Sequence, residues 1–174
     1  MKLEGTTVLV TGGGHRVGRA IVEELAQAGA FVVIHYHQAR PEAAELSARL
    51  PRSMVAKADL STREGCEALL YAVRAHRGKL DAVVNNAAIY ERHPFAYETE
   101  ELWEQMLAIN LLAPARLLRG ALALGVSAAV NIVDVAAWVP WKHHAAYATS
   151  KAALAHLTRC LALELAPSVR VNGV

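Results

Sequence analysis

The sequence predicts a doubly wound α/β domain with a parallel sheet of about six strands and helices on both faces. Three observations support this. Short apolar runs rich in β-branched residues alternate with longer segments of helical periodicity. The runs are almost continuously apolar rather than alternating, as strands covered on both faces must be. The connections between them are short, which suits repeated βα units.

Each element follows from its own pattern. Thr7–Val10 reads as the first strand, and Val17–Ala28 as a helix with apolar positions at Val17, Ile21, Val22 and Leu25 and a stop at Gly29. Phe31–Ile34 is a strand, Pro41–Leu50 a helix opened by its proline, and Met54–Ala56 a short strand. A helix runs from about Thr62 to His76, followed by the strand Ala82–Val84. A longer helical region starts near Thr99, is expected to bend at Pro114, and ends by Gly125. Ala129–Val133 reads as a strand, Tyr147–Leu165 as a helix stopped by Pro167, and Val169–Val171 as a last strand. The chain stops straight out of that strand at RVNGV, where a bare edge would expose unpaired backbone.

Composition narrows the function. With 174 residues, 54% hydrophobic and 20% charged, the chain fits one globular domain, residues 1–174. Its net charge of +2 is scattered, so no nucleic-acid tract is expected. No apolar run reaches the ~18 residues of a membrane span, and the start lacks a signal-peptide pattern. Cys66 and Cys160, far apart in helical patterns, read as reduced thiols of a cytoplasmic protein. His35 with His37, and His143 with His144, lack acidic or cysteine partners at ligand spacing, so no metal is expected.

TGGGHRVG, Thr11–Gly18, lies between the first strand and first helix, where backbone N–H groups and the helix dipole favour a phosphate. Gly12 allows a tight exit and Gly18 close packing, although Val17 occupies the third position of a strict G-x-G-x-x-G. The second strand continues into HYHQAR, without the acid that bonds a ribose 2′-hydroxyl in NAD sites. It offers His35, His37 and Arg40 instead. With Arg16 on the neighbouring loop, the pattern favours a 2′-phosphate and hence NADPH.

In YATSK, Tyr147 and Lys151 share one helical face. A phenol with an ordinary pKa near ~10 is a poor acid or base at neutral pH, and a neighbouring ammonium lowers that value. Together with NNAA (Asn85–Ala88) and Asn110 in LAINLLAP, these motifs resemble the short-chain dehydrogenase/reductase family across the whole chain. The resemblance implies a Rossmann-type sheet in which Tyr147 exchanges the proton, Lys151 holds the nicotinamide ribose, and Asn110 positions a relay water. Around the cofactor it places Gly12, His15, Arg16 and Val17, then Asp59 and Leu60 near the adenine, then Asn86 and Ala87. Asn85 reads equally well as a strand-end residue bonding backbone. Relatives continue past the last strand, so the C-terminal part of the fold is expected to be missing. Assembly as a dimer or tetramer is implied as well.

One position departs from the common pattern. Thirteen residues before Tyr147, where most members have serine, stands Asp134. Ionised aspartate accepts hydrogen bonds and cannot donate, so it suits a substrate bearing N–H groups and opposes ionisation of Tyr147. Arg16, the HYH segment and Asp134 together resemble the pteridine reductase and dihydromonapterin reductase branch. That likeness implies reduction of a pterin or folate-like ring, with Tyr90 stacking on it. The alternatives are a general carbonyl reductase of 3-oxoacyl or sugar substrates, and an NADPH-binding protein without turnover.

Overall fold

A computed structural model describes residues 2–38 and 40–174, the Arg40 side chain excepted. Six strands form one sheet in the order β3-β2-β1-β4-β5-β6: β1 Thr7–Val10, β2 Phe31–Tyr36, β3 Ser53–Lys57, β4 Ala82–Asn85, β5 Ala128–Asn131 and β6 Arg170–Gly173. All neighbours are parallel. Six helices connect and cover them: α1 Arg16–Gln27, α2 Arg40–Arg49, α3 Arg63–Arg77, α4 Glu100–Leu107, α5 Ala113–Leu122 and α6 Ala145–Glu164.

The period of two along each strand sends side chains to opposite faces, and both faces are buried. Val8 and Val10 join Val22 of α1 and Leu46 of α2 on one side. Leu9 joins Leu69 of α3 and Leu117 of α5 on the other. The strand order reverses at β1 and β4, whose carboxyl ends therefore diverge into a crevice. Among the described residues, no helix is long and apolar enough to cross a membrane. Cys66 is buried, Cys160 is exposed, and both are free thiols.

Element boundaries follow the sequence pattern with three instructive shifts. Strand β2 runs past Ile34 because His35 and Tyr36 still pair with Ala56 and Lys57. Strand β5 ends at Asn131, while Ile132 and Val133 keep single backbone bonds to Asn85 and Val174 on the way to Asp134. The third shift corrects the expected bend at Pro114. The irregularity lies upstream, in a π turn over Ala108–Leu112, where the Ala113 N–H bonds the Ala108 carbonyl five residues back. Pro114 itself sits in the first turn of α5. Having no N–H, it cannot serve the carbonyl of Asn110 four residues earlier, so the α ladder is interrupted next to the π turn.

Candidate active site

A cavity of about 750 Å³ opens over the carboxyl ends of β1, β2 and β4 and is lined on its far side by α6. The β1–α1 loop forms its floor. Gly12 has φ +62°, a left-handed value that favours glycine, and a Cβ on Gly18 would lie 2.1 Å from the Gly12 carbonyl oxygen. The backbone crossing at Gly18 is thus so close that only hydrogen fits.

Side chains buried beneath the loop hold its shape. His35 is buried; its Nδ1 accepts the Gly12 N–H at 3.1 Å, and its carbonyl accepts the Gly13 N–H. The other ring nitrogen, Nε2, faces the Ala58 carbonyl at 3.2 Å and so carries the proton. Burial, chiefly, pushes the His35 pKa down to about 4, so the ring is neutral near neutral pH. From the other side, Thr11 Oγ1 accepts the N–H groups of Asn86 and Ala87, and Asn86 Nδ2 donates to the Thr11 carbonyl.

The expected cofactor residues converge here. His15, Arg16 and Val17 line the cavity at the start of α1, all three exposed, and Arg16 holds φ +49°. His37 lies beyond β2 on the same rim, and Asp59 and Leu60 follow β3. The hydroxyl and N–H of Ser61 both bond Asp59 and hold its carboxyl below the usual range. Asn86 and Ala87 close the far wall. The side chain of Arg40 lies outside the described residues. The Asn85 side chain turns to another side chain instead of the backbone: it donates to Asn131, which donates to Thr158 beneath α6.

The chemistry-bearing side chains sit at the inner end. Tyr147 donates its phenolic hydrogen to Asp134 Oδ2 at 2.8 Å, and Asp134 Oδ1 accepts the Ala136 N–H at 2.8 Å. Lys151, one turn along α6, is buried and donates to the Ile132 carbonyl at 2.8 Å. Its Nζ stands 5.9 Å from the centre of the Tyr147 ring. In this arrangement the larger influences on the phenol come from elsewhere. Burial first, and then the hydrogen bond and charge of Asp134, push the Tyr147 pKa up, while burial pushes Lys151 down.

Asn110 stands behind the cavity wall. Its Oδ1 accepts the Ile89 N–H at 2.9 Å, and its Nδ2 donates to the Ile89 carbonyl and to Ser150 of α6, each at 3.0 Å. Tyr90 is half exposed, 4.8 Å from the Tyr147 ring in an edge-on arrangement. It bonds His144. Sequence reasoning missed what His35, Thr11 and His144 do. For His35 a signal existed: it continues the apolar run Phe31–Ile34 of a strand buried on both faces.

The donor set fits a dinucleotide. It combines a glycine loop too tight for any Cβ at Gly18, Arg16 with the imidazoles of His15 and His37 along the cavity, and a buried Lys–Tyr pair beyond. The short chain dehydrogenase profile matches residues 6–174. A short-chain dehydrogenase/reductase, FrzI, from Cladobotryum sp is 37% identical over 95% of this chain and 67% of its own length. L-xylulose reductase from Bos taurus is 34% identical over 100% of this chain and 72% of its own. The crystal structure of landomycin C-6 ketoreductase LanV with bound NADP and rabelomycin superposes with a TM-score of 0.93 at 28% identity. It covers 99% of this chain and 76% of that one.

Proposed function

The chain belongs to the short-chain dehydrogenase family, and from that premise we propose that it is an NADPH-dependent reductase acting on a C=N or C=O bond of a pterin or folate-like ring. Membership makes it an oxidoreductase; the ring substrate is our reading of the residues around Tyr147. NADPH, when bound, supplies the hydride.

The bond between Tyr147 and Asp134 carries the reading. Tyr147 is protonated and so is placed to donate to the substrate nitrogen or oxygen, and a substrate that engages Asp134 removes one of the causes that raise its pKa. Asp134 accepts only. A substrate that offers it an N–H exchanges one hydrogen-bond donor for another, releases the Tyr147 hydroxyl, and leaves the proton free to transfer. A plain ketone offers Asp134 nothing.

Other residues support the same chemistry. Lys151, already facing the cavity, would turn from the Ile132 carbonyl to the nicotinamide ribose. The amide of Asn110 is committed to Ile89 and Ser150, so its part in a proton relay falls to its backbone carbonyl, which Pro114 cannot serve. Arg16 and His37 would hold the 2′-phosphate, and Asp59 and Leu60 the adenine end. Assembly into dimers or tetramers belongs to the same proposal.

Following NADPH oxidation with dihydrobiopterin, dihydrofolate, L-xylulose and an acetoacetyl thioester tests the proposal. Turnover of the pterin or folate is expected. Turnover of L-xylulose or the thioester alone would favour a general carbonyl reductase, the reading to which the similarity to L-xylulose reductase points. Tight NADPH binding with no turnover would favour a non-catalytic protein.

A further inference from the structure

Two irregular segments meet in front of Tyr147: the loop after β4 and the turn that leads into α6. The first has no regular secondary structure from Asn86 to Pro94, yet it is fastened at three points. Asn110 clasps the N–H and carbonyl of Ile89. The His93 N–H donates to the His143 carbonyl at 3.0 Å. Between them, the Tyr90 hydroxyl lies 2.6 Å from His144 Nε2.

The direction of that last bond is determined by its neighbour. His144 Nδ1 faces the Lys142 carbonyl at 2.8 Å, and a carbonyl can only accept. In the neutral ring the proton therefore sits on Nδ1, and bare Nε2 accepts from Tyr90. The imidazole is buried, with Trp141 edge-on at 5.8 Å. It reaches this place because His143, a non-glycine residue, adopts φ +69° immediately before it. Backbone strain of this kind persists only where the surroundings enforce it, and it concentrates at working sites.

We propose that His144 is a positioning residue for substrate. By accepting the Tyr90 hydrogen bond it locks that ring at right angles to Tyr147, and the locked corner selects flat conjugated rings over open-chain carbonyls. The inference rests on the reading of Tyr147 as proton donor. Unanchored, a half-exposed tyrosine samples several rotamers, and a substrate would have to order it on binding. Anchored, it offers one fixed face beside the reacting hydroxyl. A rigid ring can lie on that face with its edge toward Tyr147, whereas a flexible polyol chain gains little from a plane.

Three variants test the pair: Tyr90→Phe, which keeps the ring; His144→Leu, which removes the acceptor; and His144→Gln, which restores one. For a flat pterin, Tyr90→Phe and His144→Leu should raise KM about tenfold, with the loss on KM rather than kcat. The KM for an open-chain ketone should change several times less, and His144→Gln should recover most of the pterin affinity. Calorimetry of an oxidised pterin binding to the NADP⁺-saturated protein should show the same order without turnover. Long-range nitrogen–proton NMR should find His144 protonated on Nδ1 and bare on Nε2, with the Nε2 signal moved in Tyr90→Phe. Equal losses for flat and open-chain substrates, a protonated Nε2, or His144→Gln behaving like His144→Leu would overturn the proposal. If nothing is turned over, the reductase reading fails, while calorimetry and NMR still decide the role of His144.

Discussion

The Tyr147 hydroxyl donates to Asp134 at 2.8 Å, so the two groups proposed to act on the substrate are bonded to each other before it arrives. Asp134 is also the second cause, after burial, that keeps the phenol protonated. Removing its charge should let Tyr147 ionise more readily. In Asp134→Asn, therefore, the alkaline limb of the pH–rate profile and the ultraviolet titration of the phenol should both move to lower pH. An unmoved titration would mean that the carboxylate does not govern the proton.

Asp134→Ser tests substrate choice rather than proton affinity. Serine can donate to a carbonyl oxygen where aspartate cannot. We expect kcat/KM for simple ketones to rise about tenfold and that for pterins to fall by a similar factor, the size of one hydrogen bond to a charged group. Parallel losses on both substrates would count against the N–H recognition argued for Asp134.

Arg16 makes a claim on the cofactor and carries a backbone cost. Arg16→Ala should weaken NADPH about tenfold and leave NADH nearly unchanged, as loss of one exposed charge-assisted contact would. Arg16→Gly should lose the same preference yet be more stable than the alanine variant by about 1 kcal/mol, because φ +49° suits glycine. Fluorescence titration and thermal unfolding read the two effects separately. Equal weakening of NADH and NADPH would show that Arg16 does not read the 2′-phosphate.

A single methyl group at Gly18 should disable the loop. It would press on the Gly12 carbonyl and, at 2.6 Å, on Asn86 Nδ2, and a backbone oxygen cannot swing away. Gly18→Ala should cost about 1–3 kcal/mol of stability and weaken NADPH binding at least tenfold. Wild-type affinity in this variant would show that the loop yields more easily than its packing implies.

Buried His35 predicts an acid limb in stability. Its folded pKa of about 4 lies below the ordinary value of 6.5, so the unfolded chain takes up the proton first. The contribution is complete above about pH 6.5 and is lost as pH falls toward 4, to the extent of about 3 kcal/mol. Protonation would place hydrogen on Nδ1, which now accepts from Gly12. The urea midpoint of wild type should fall over that window more steeply than that of His35→Gln. Identical slopes would remove His35 as the cause.

The strands and most helices were legible because their patterns are local. β1 reads off TVLV, and Thr62 and Thr99 announce α3 and α4 as caps whose hydroxyls accept from Gly65 and Leu102. The candidate proton donor and its partners were legible as spacing, since Tyr147, Lys151 and Asp134 all lie within nineteen residues of Ile132, which accepts from Lys151. What escaped was set by contacts across the fold. The π turn expresses Pro114 through a carbonyl four residues earlier. Tyr90 and His144 are 54 residues apart and meet only because two loops are fastened together. The Lys151 ammonium was expected beside the phenol, but packing of α6 aimed it at a β5-end carbonyl.

The fastening of Gly12 and Gly13 to His35, with Asn86 tied to Thr11 opposite, has a kinetic consequence. Those amides face inward and are already satisfied, so the loop does not need a phosphate to acquire its shape. An arriving dinucleotide meets a finished surface, and little of its binding free energy goes to ordering chain. Its departure leaves nothing to refold. Exchange of spent for fresh cofactor should then follow diffusion and contact breaking, without waiting on a loop to reassemble.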